Sequence, residues 1–167
     1  MTAIQRSGGQ IALFILSILG ACIAIYLTSV HYENVPLVCS SSGIVDCARV
    51  LSSAFSVIPG TSVPITIPGL FWAIVSAALA FANWRLWPER RSLLVAAFAW
   101  SLLGLLTVFY LVYVELVRLH TICAWCTAMH VVILAIFLIA LVLLQQPEPE
   151  TEPDEEQEES PIPAGRD

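Results

Sequence analysis

Four long stretches contain no Asp, Glu, Lys or Arg: Ile11–Val30, Ile65–Trp84, Leu93–Val114 and Ile122–Leu144. At about 1.5 Å of rise per residue, each is long enough to cross the roughly 30 Å hydrocarbon core of a bilayer. In lipid, a single segment satisfies its own backbone hydrogen bonds only as a helix. The predicted fold is therefore all-α: an integral membrane bundle of four transmembrane helices. An extracytoplasmic loop with a half-helix cap joins the first helix to the second. Pro68 falls in the first turn of its span, where a missing N–H costs little. Hydrophobic residues make up 58% of the chain and charged residues only 12%. That is too little charge to give a soluble domain a polar surface.

The charge of -6 is local, because nine of the thirteen acids lie between Glu148 and Asp167. This leaves no basic face for nucleic acid. The chain divides into residues 1–10, a short polar start; 11–144, the membrane domain; and 145–167, an acidic cytoplasmic tail. From Pro147 the tail is too Pro/Glu-rich to bury a core and is expected to be disordered. Arg6, Arg85, Arg90 and Arg91 fall on the N-terminal side of the spans, against Arg49 and Arg118 on the other. The positive-inside rule then puts both termini in the cytoplasm, with Trp84 and Trp87 in an interfacial belt. Arg6 and the first apolar run also resemble a signal peptide, and Leu19-Gly20-Ala21-Cys22 resembles a lipoprotein box. The run continues through Leu27, however, and three more spans follow.

Residues 31–64 form the one long loop, expected to have structure of its own. Asp46 can cap a short helix with Cys47 in its first turn. Ala48, Val50, Leu51, Ala54 and Phe55 would give that helix an apolar side lying on the membrane surface.

Five cysteines carry the chemistry. Cys22 lies mid-span and is expected to be a small buried apolar residue. Cys39 and Cys47 lie in the outer loop. Cys123 and Cys126 form Cys-Ala-Trp-Cys in the first turn of the fourth helix, on the same outer, oxidising side. Positions i and i+3 share a helix face and can form a disulfide, while the helix N-terminus favours a thiolate. Thr121 is the predicted cap. Three readings of these cysteines remain: structural disulfides, a zinc site from Cys123, Cys126, His120 and His130, and a redox relay.

Four spans, two loop cysteines, Cys47 followed by Arg49-Val50-Leu51-Ser52-Ser53, and the late CxxC together resemble the vitamin K epoxide reductase family over roughly residues 10–144. The resemblance implies a quinone-dependent thiol oxidoreductase in the plasma membrane that generates disulfides. Cys39 would exchange with a thioredoxin-fold (DsbA-like) extracytoplasmic protein, and Cys47 would pass electrons to Cys123. Cys126 would face the quinone, of menaquinone, ubiquinone or vitamin K type. Ser53 matches a family serine at the edge of the quinone site. His130 stands where the animal enzymes have tyrosine, which fits a bacterial direction with the quinone as final oxidant. Some bacterial relatives carry a fused thioredoxin-like domain; here only the acidic tail follows, so the partner is expected to be a separate protein.

Phe71, Trp72, Tyr110, Trp125 and His130 could line a quinone pocket, although aromatic packing accounts equally well for Phe71, Trp72 and Tyr110. His130 is the lone ionisable group of its span, and such groups face a cavity or bundle interior. Arg49 reads as a surface charge, and Glu115, Arg118 and His120 as interfacial. No metal is assigned. The alternatives are a non-enzymatic membrane protein with structural disulfides, and a vitamin K epoxide or quinone reductase running in the reducing direction.

Overall fold

The computed structural model describes residues 3–33, 36–39, 42–87 and 90–146. The acidic tail from Pro147 lies outside them. Four long helices run through the described residues, each long and apolar enough to cross a membrane. Helix α1 spans Ala3–Glu33, α3 Thr66–Phe81, α4 Arg91–Tyr113 and α5 Ala124–Gln145. The short α2, Cys47–Leu51, sits in the loop between α1 and α3. The protein is a multi-pass membrane protein with an all-α four-helix bundle.

The first three spans extend past the uncharged stretches. α1 begins at Ala3, so most of the expected polar start is helical. A Cβ at Gly9 would come within 2.8 Å of Leu143, so its bare backbone lies directly against the end of α5. That contact also places the start of α1 and the end of α5 at the same end of the bundle. α3 continues as a π-helical turn over Ala82–Leu86, and α4 as another over Val114–Leu119.

α1 packs most extensively against α3. Apart from Trp72, the buried residues of α3 are small: Ala73, Ser76, Ala77 and Ala80. Lipid is as apolar as a leucine core, so membrane helices gain from close backbone approach, which small residues allow. α3 and α4 are tied by reciprocal bonds: Trp72 Nε1 donates to the Trp100 carbonyl at 3.1 Å, and Trp100 Nε1 to that of Trp72 at 3.2 Å. Beside them a Cβ at Gly104 would meet the Trp72 ring at 2.7 Å, so only glycine fits.

Cys22 departs from its expected burial and is exposed on α1. A small apolar side chain is as well solvated by lipid as by the core, so hydrophobicity does not direct it inward. At the end of the bundle where α1 begins, Arg85 stacks on Trp84 at 5.6 Å and Arg90 on Trp87 at 5.7 Å.

Candidate active site

The loop between α1 and α3 has its own framework. Gly43 makes the tight turn that brings Ser42 opposite Val45. Its φ of +59° lies in the left-handed region, a conformation that favours glycine. Val45 in turn bridges to Ile122 in parallel. The Ile122 N–H donates to the Ile44 carbonyl at 2.9 Å, and the Asp46 N–H donates to the Ile122 carbonyl at 3.1 Å. Asp46 caps α2 as expected, its Oδ1 accepting from the Arg49 N–H at 3.0 Å. The helix stops at Leu51, short of the apolar side read from sequence. Ser53 turns back to the Val50 carbonyl twice. Its Oγ donates at 2.7 Å, and its N–H donates at 3.2 Å. Such local bonds compete with further helix. Val50 is buried against the cysteines, while Ala48 and Ala54 are exposed, so α2 presents no single membrane-facing side.

Cys39 and Cys47 are joined by a disulfide with Cα atoms 6.2 Å apart. Segment 36–39 is held from below by two aromatic residues of the bundle. Tyr26 Oη accepts from the Val38 N–H at 3.0 Å, and Trp125 Nε1 donates to the Val38 carbonyl at 2.9 Å. Their rings pack with centroids 4.8 Å apart. Cys47 and Cys123, 1% and 0% exposed, share one apolar cluster with Val50, while Cys39, Trp125 and Cys126 pack around it.

The start of α5 lies two residues later than expected. The N-cap of α5 is Cys123, not Thr121. The Thr121 N–H donates to the Glu115 carbonyl at 3.0 Å, closing the turn that His120 makes in the left-handed region at φ +52°. The Cys123 sulfur takes the place of a cap oxygen and accepts the Cys126 N–H at 3.2 Å. Cys123 and Cys126 are both free thiols. The Cys126 thiol, hydrogen-bonding to Cys123, holds the Cys123 thiol below its ordinary value, helped by the Cys126 and Trp125 N–H groups. Burial and the nearby Glu115 oppose this.

Two adjoining cavities meet at Cys126. The larger, about 310 Å³, lies between α1, α3, α4 and α5; Phe71, Trp72, Met129 and His130 are among its lining. Its rim is open at Phe71 and Leu103, 62% and 52% exposed, on the side that faces lipid. The smaller, about 60 Å³, lies beneath α2 and is lined by Ser53, Phe55, Thr66 and Glu115. Leu27, Ile65, Thr66, Leu111 and Cys126 belong to both.

The sequence-predicted residues thus separate. Phe71, Trp72, His130 and Cys126 line the large cavity, whereas Ser53 lines the small one. Trp125 lines neither and holds the loop instead; Tyr110 is exposed outside both. His120 is exposed, away from buried His130, and among the described residues no three His, Cys, Asp or Glu side chains gather to hold a metal. The zinc reading therefore has no donor set there. Arg118 is exposed and lies over Phe55, its guanidinium carbon 6.0 Å from the ring centroid.

Glu115 is the residue that sequence reasoning misplaced. It is 6% exposed, and its carboxylate faces the Cys123 backbone N–H and the Cys126 thiol. The available signal was its position, the one acid closing an uncharged span shortly before Cys123. Tyr26 was missed as well, since nothing in α1's sequence sets it apart.

A four-helix membrane bundle with a disulfide in the loop between its first two spans and a buried dithiol packed beneath it is a membrane thiol oxidoreductase. The profile of the vitamin K epoxide reductase family matches residues 11–141, and the chain belongs to that family. The family uses quinone. No individual curated protein matches the chain in a direct sequence comparison.

Proposed function

We propose that the protein is a quinone-dependent thiol oxidase. Electrons from an extracytoplasmic thioredoxin-fold protein enter at Cys39–Cys47, pass to Cys123–Cys126, and leave to a quinone in the larger cavity. The observation that carries this reading is the position of Cys126. It lines an apolar cavity open toward lipid, while its partner Cys123 packs against Cys47 on the loop side. The site thus has one face for a watery partner and one for a lipid-soluble acceptor.

The cavity suits an aromatic head group: Phe71 and Trp72 are among its lining, and Gly104 leaves room for the Trp72 ring. A bound quinone supplies an acceptor for two electrons and two protons. His130, buried in the same wall, would donate a hydrogen bond to its oxygen. The Cys39–Cys47 disulfide is the group a partner thiolate attacks, and Cys47, once released, is placed to reduce the Cys123–Cys126 disulfide. Cys47 attacks Cys123, with which it shares the buried cluster, and Cys126 is the thiol released at the cavity.

The test uses full-length protein in lipid nanodiscs with a reduced thioredoxin-fold substrate and a short-chain quinone. Quinone reduction stoichiometric with substrate disulfide is the expected result. Substrate oxidation without quinone reduction, or neither, overturns the reading. The proposed topology, with both termini cytoplasmic, is tested on intact cells after mild reduction. A membrane-impermeant thiol reagent should label Cys39; labelling only after permeabilisation reverses the orientation.

A further inference from the structure

The larger cavity and His130 belong to the reaction already proposed; Glu115 does not. It lies at Cys126 in the smaller cavity, whereas His130 lines the larger one. Oxidising the Cys123–Cys126 dithiol breaks two S–H bonds and forms one S–S bond. Two electrons go to the acceptor, which takes up two protons from the medium; the Cys123 proton leaves toward the loop, and the Cys126 proton must leave a site from which water is largely excluded. The walls toward lipid are apolar. The Glu115 carboxylate, which lines the smaller cavity together with Cys126, is a second acceptor for the Cys126 thiol beside the Cys123 sulfur.

We propose that Glu115 is a catalytic base of the dithiol, taking the Cys126 proton as the Cys123–Cys126 bond forms and releasing it on the loop side. The role deepens the thiol-oxidase reading and rests on it. Charge explains why a carboxylate is needed. With Glu115 ionised the site already holds one negative charge, and moving the proton from sulfur to carboxylate leaves that total unchanged. Without Glu115, forming the thiolate creates a new charge in a desolvated site, which burial opposes. Ser53, Ser56 and Thr66 line the cavity around Glu115 and offer hydroxyls along the way out. The π-helical turn over Val114–Leu119 and the left-handed residue His120 set the carboxylate there. Both reshape the backbone between Glu115 and the CxxC.

The test compares the parent with Glu115→Gln and Glu115→Ala, full length in nanodiscs, after full reduction. Loss of the Cys123 and Cys126 thiols is followed by alkylation and mass spectrometry under two oxidants: a short-chain quinone, and diamide, a two-electron thiol oxidant that needs no quinone site. Both variants should lose about 100-fold in rate with either oxidant, as expected for removal of a general base. The deficit should shrink as pH rises, and added formate should restore part of the rate to Glu115→Ala but none to the parent. Regeneration of the Cys39–Cys47 disulfide in the variants on mild reoxidation serves as the folding control. Should Glu115→Gln fold by that measure yet oxidise within about three-fold of the parent under both oxidants, the role is refuted. Slowing without formate rescue or pH recovery assigns Glu115 to structure and overturns it too. A variant that does not re-form Cys39–Cys47 also counts against it, since a base is not needed for that pair. A parent that oxidises with diamide but not quinone sinks the quinone reading and leaves the Glu115 comparison readable.

Discussion

The Asp46 N–H donates to the carbonyl of Ile122 at 3.1 Å, and each of these residues immediately precedes a cysteine of a different pair. A single backbone bond therefore sets the register between the loop cysteines and the CxxC. The neighbouring bond from the Ile122 N–H to the Ile44 carbonyl, at 2.9 Å, prevents the two segments from sliding. Cys47 and Cys123 emerge from the bridge into the same buried cluster.

Electron flow across that bridge gives the first expectation. Cys47→Ser leaves a mixed disulfide between Cys39 and the partner with no thiol to resolve it, so a larger species should accumulate on gels without reductant. Cys126→Ser should instead trap a Cys47–Cys123 crosslink within the chain. Peptide mapping that finds neither species refutes the relay, because structural disulfides do not exchange.

Cys22 and Cys126 should behave oppositely. Cys22 is exposed on α1, whereas Cys126 joins the dithiol to the cavity. Cys22→Ala should keep quinone reduction within about two-fold of the parent, the usual scale for a surface change of under ~0.5 kcal/mol. Cys126→Ala should abolish it. Equal losses would place Cys22 in the relay.

Gly104→Ala tests the cavity wall. The new methyl would meet the Trp72 ring at 2.7 Å, and Trp72 is pinned to the Trp100 carbonyl, so it cannot simply move aside. We expect about 1–3 kcal/mol of destabilisation from overpacking and a raised KM for quinone. The rate of Cys39–Cys47 exchange with a soluble thiol should be unchanged. A thermal midpoint and KM equal to the parent's would show that Trp72 does not shape the quinone site.

The reduced protein should show a pH signature. The Cys126 thiol, hydrogen-bonding to Cys123, is the main cause of the lowered Cys123 value. Because the folded value lies below the ordinary one, the stabilisation is fully present above the ordinary thiol pKa and is lost as pH falls through the folded value. With Cys22, Cys39 and Cys47 replaced, thiolate ultraviolet absorbance reports the remaining pair. Cys126→Ala in that background should move the Cys123 titration to higher pH; an unmoved or lowered midpoint contradicts the assigned cause.

Much is legible in the sequence, because bilayer physics is strict about length and charge. An uncharged apolar run as long as Ile11–Val30 has few alternatives to a spanning helix. The spacing of Cys123 and Cys126 and the capping role of Asp46 are local, decided within one helical turn, so the sequence contains them. Local reasoning failed where two comparable local options compete. Thr121 and Cys123 are both placed to cap α5. The choice followed from the Glu115 carbonyl taking the Thr121 N–H, a contact made across the His120 turn. The end of α2 at Leu51 was settled by Ser53 bonding back to Val50.

Tertiary structure alone decided which side chains meet. Trp125 could have faced the quinone or the loop from its place in the motif; Tyr26, far earlier in the chain, packs on its ring beneath the loop and holds it there. Glu115 reads as interfacial because it ends a span, yet the π-helical turn carries it inward to the dithiol. The physical reason is common to these cases. Hydrophobicity and helix periodicity say that a residue is in the membrane domain, but lipid and protein interior are equally apolar. Which face turns inward is therefore set by packing and by specific hydrogen bonds between segments far apart in sequence.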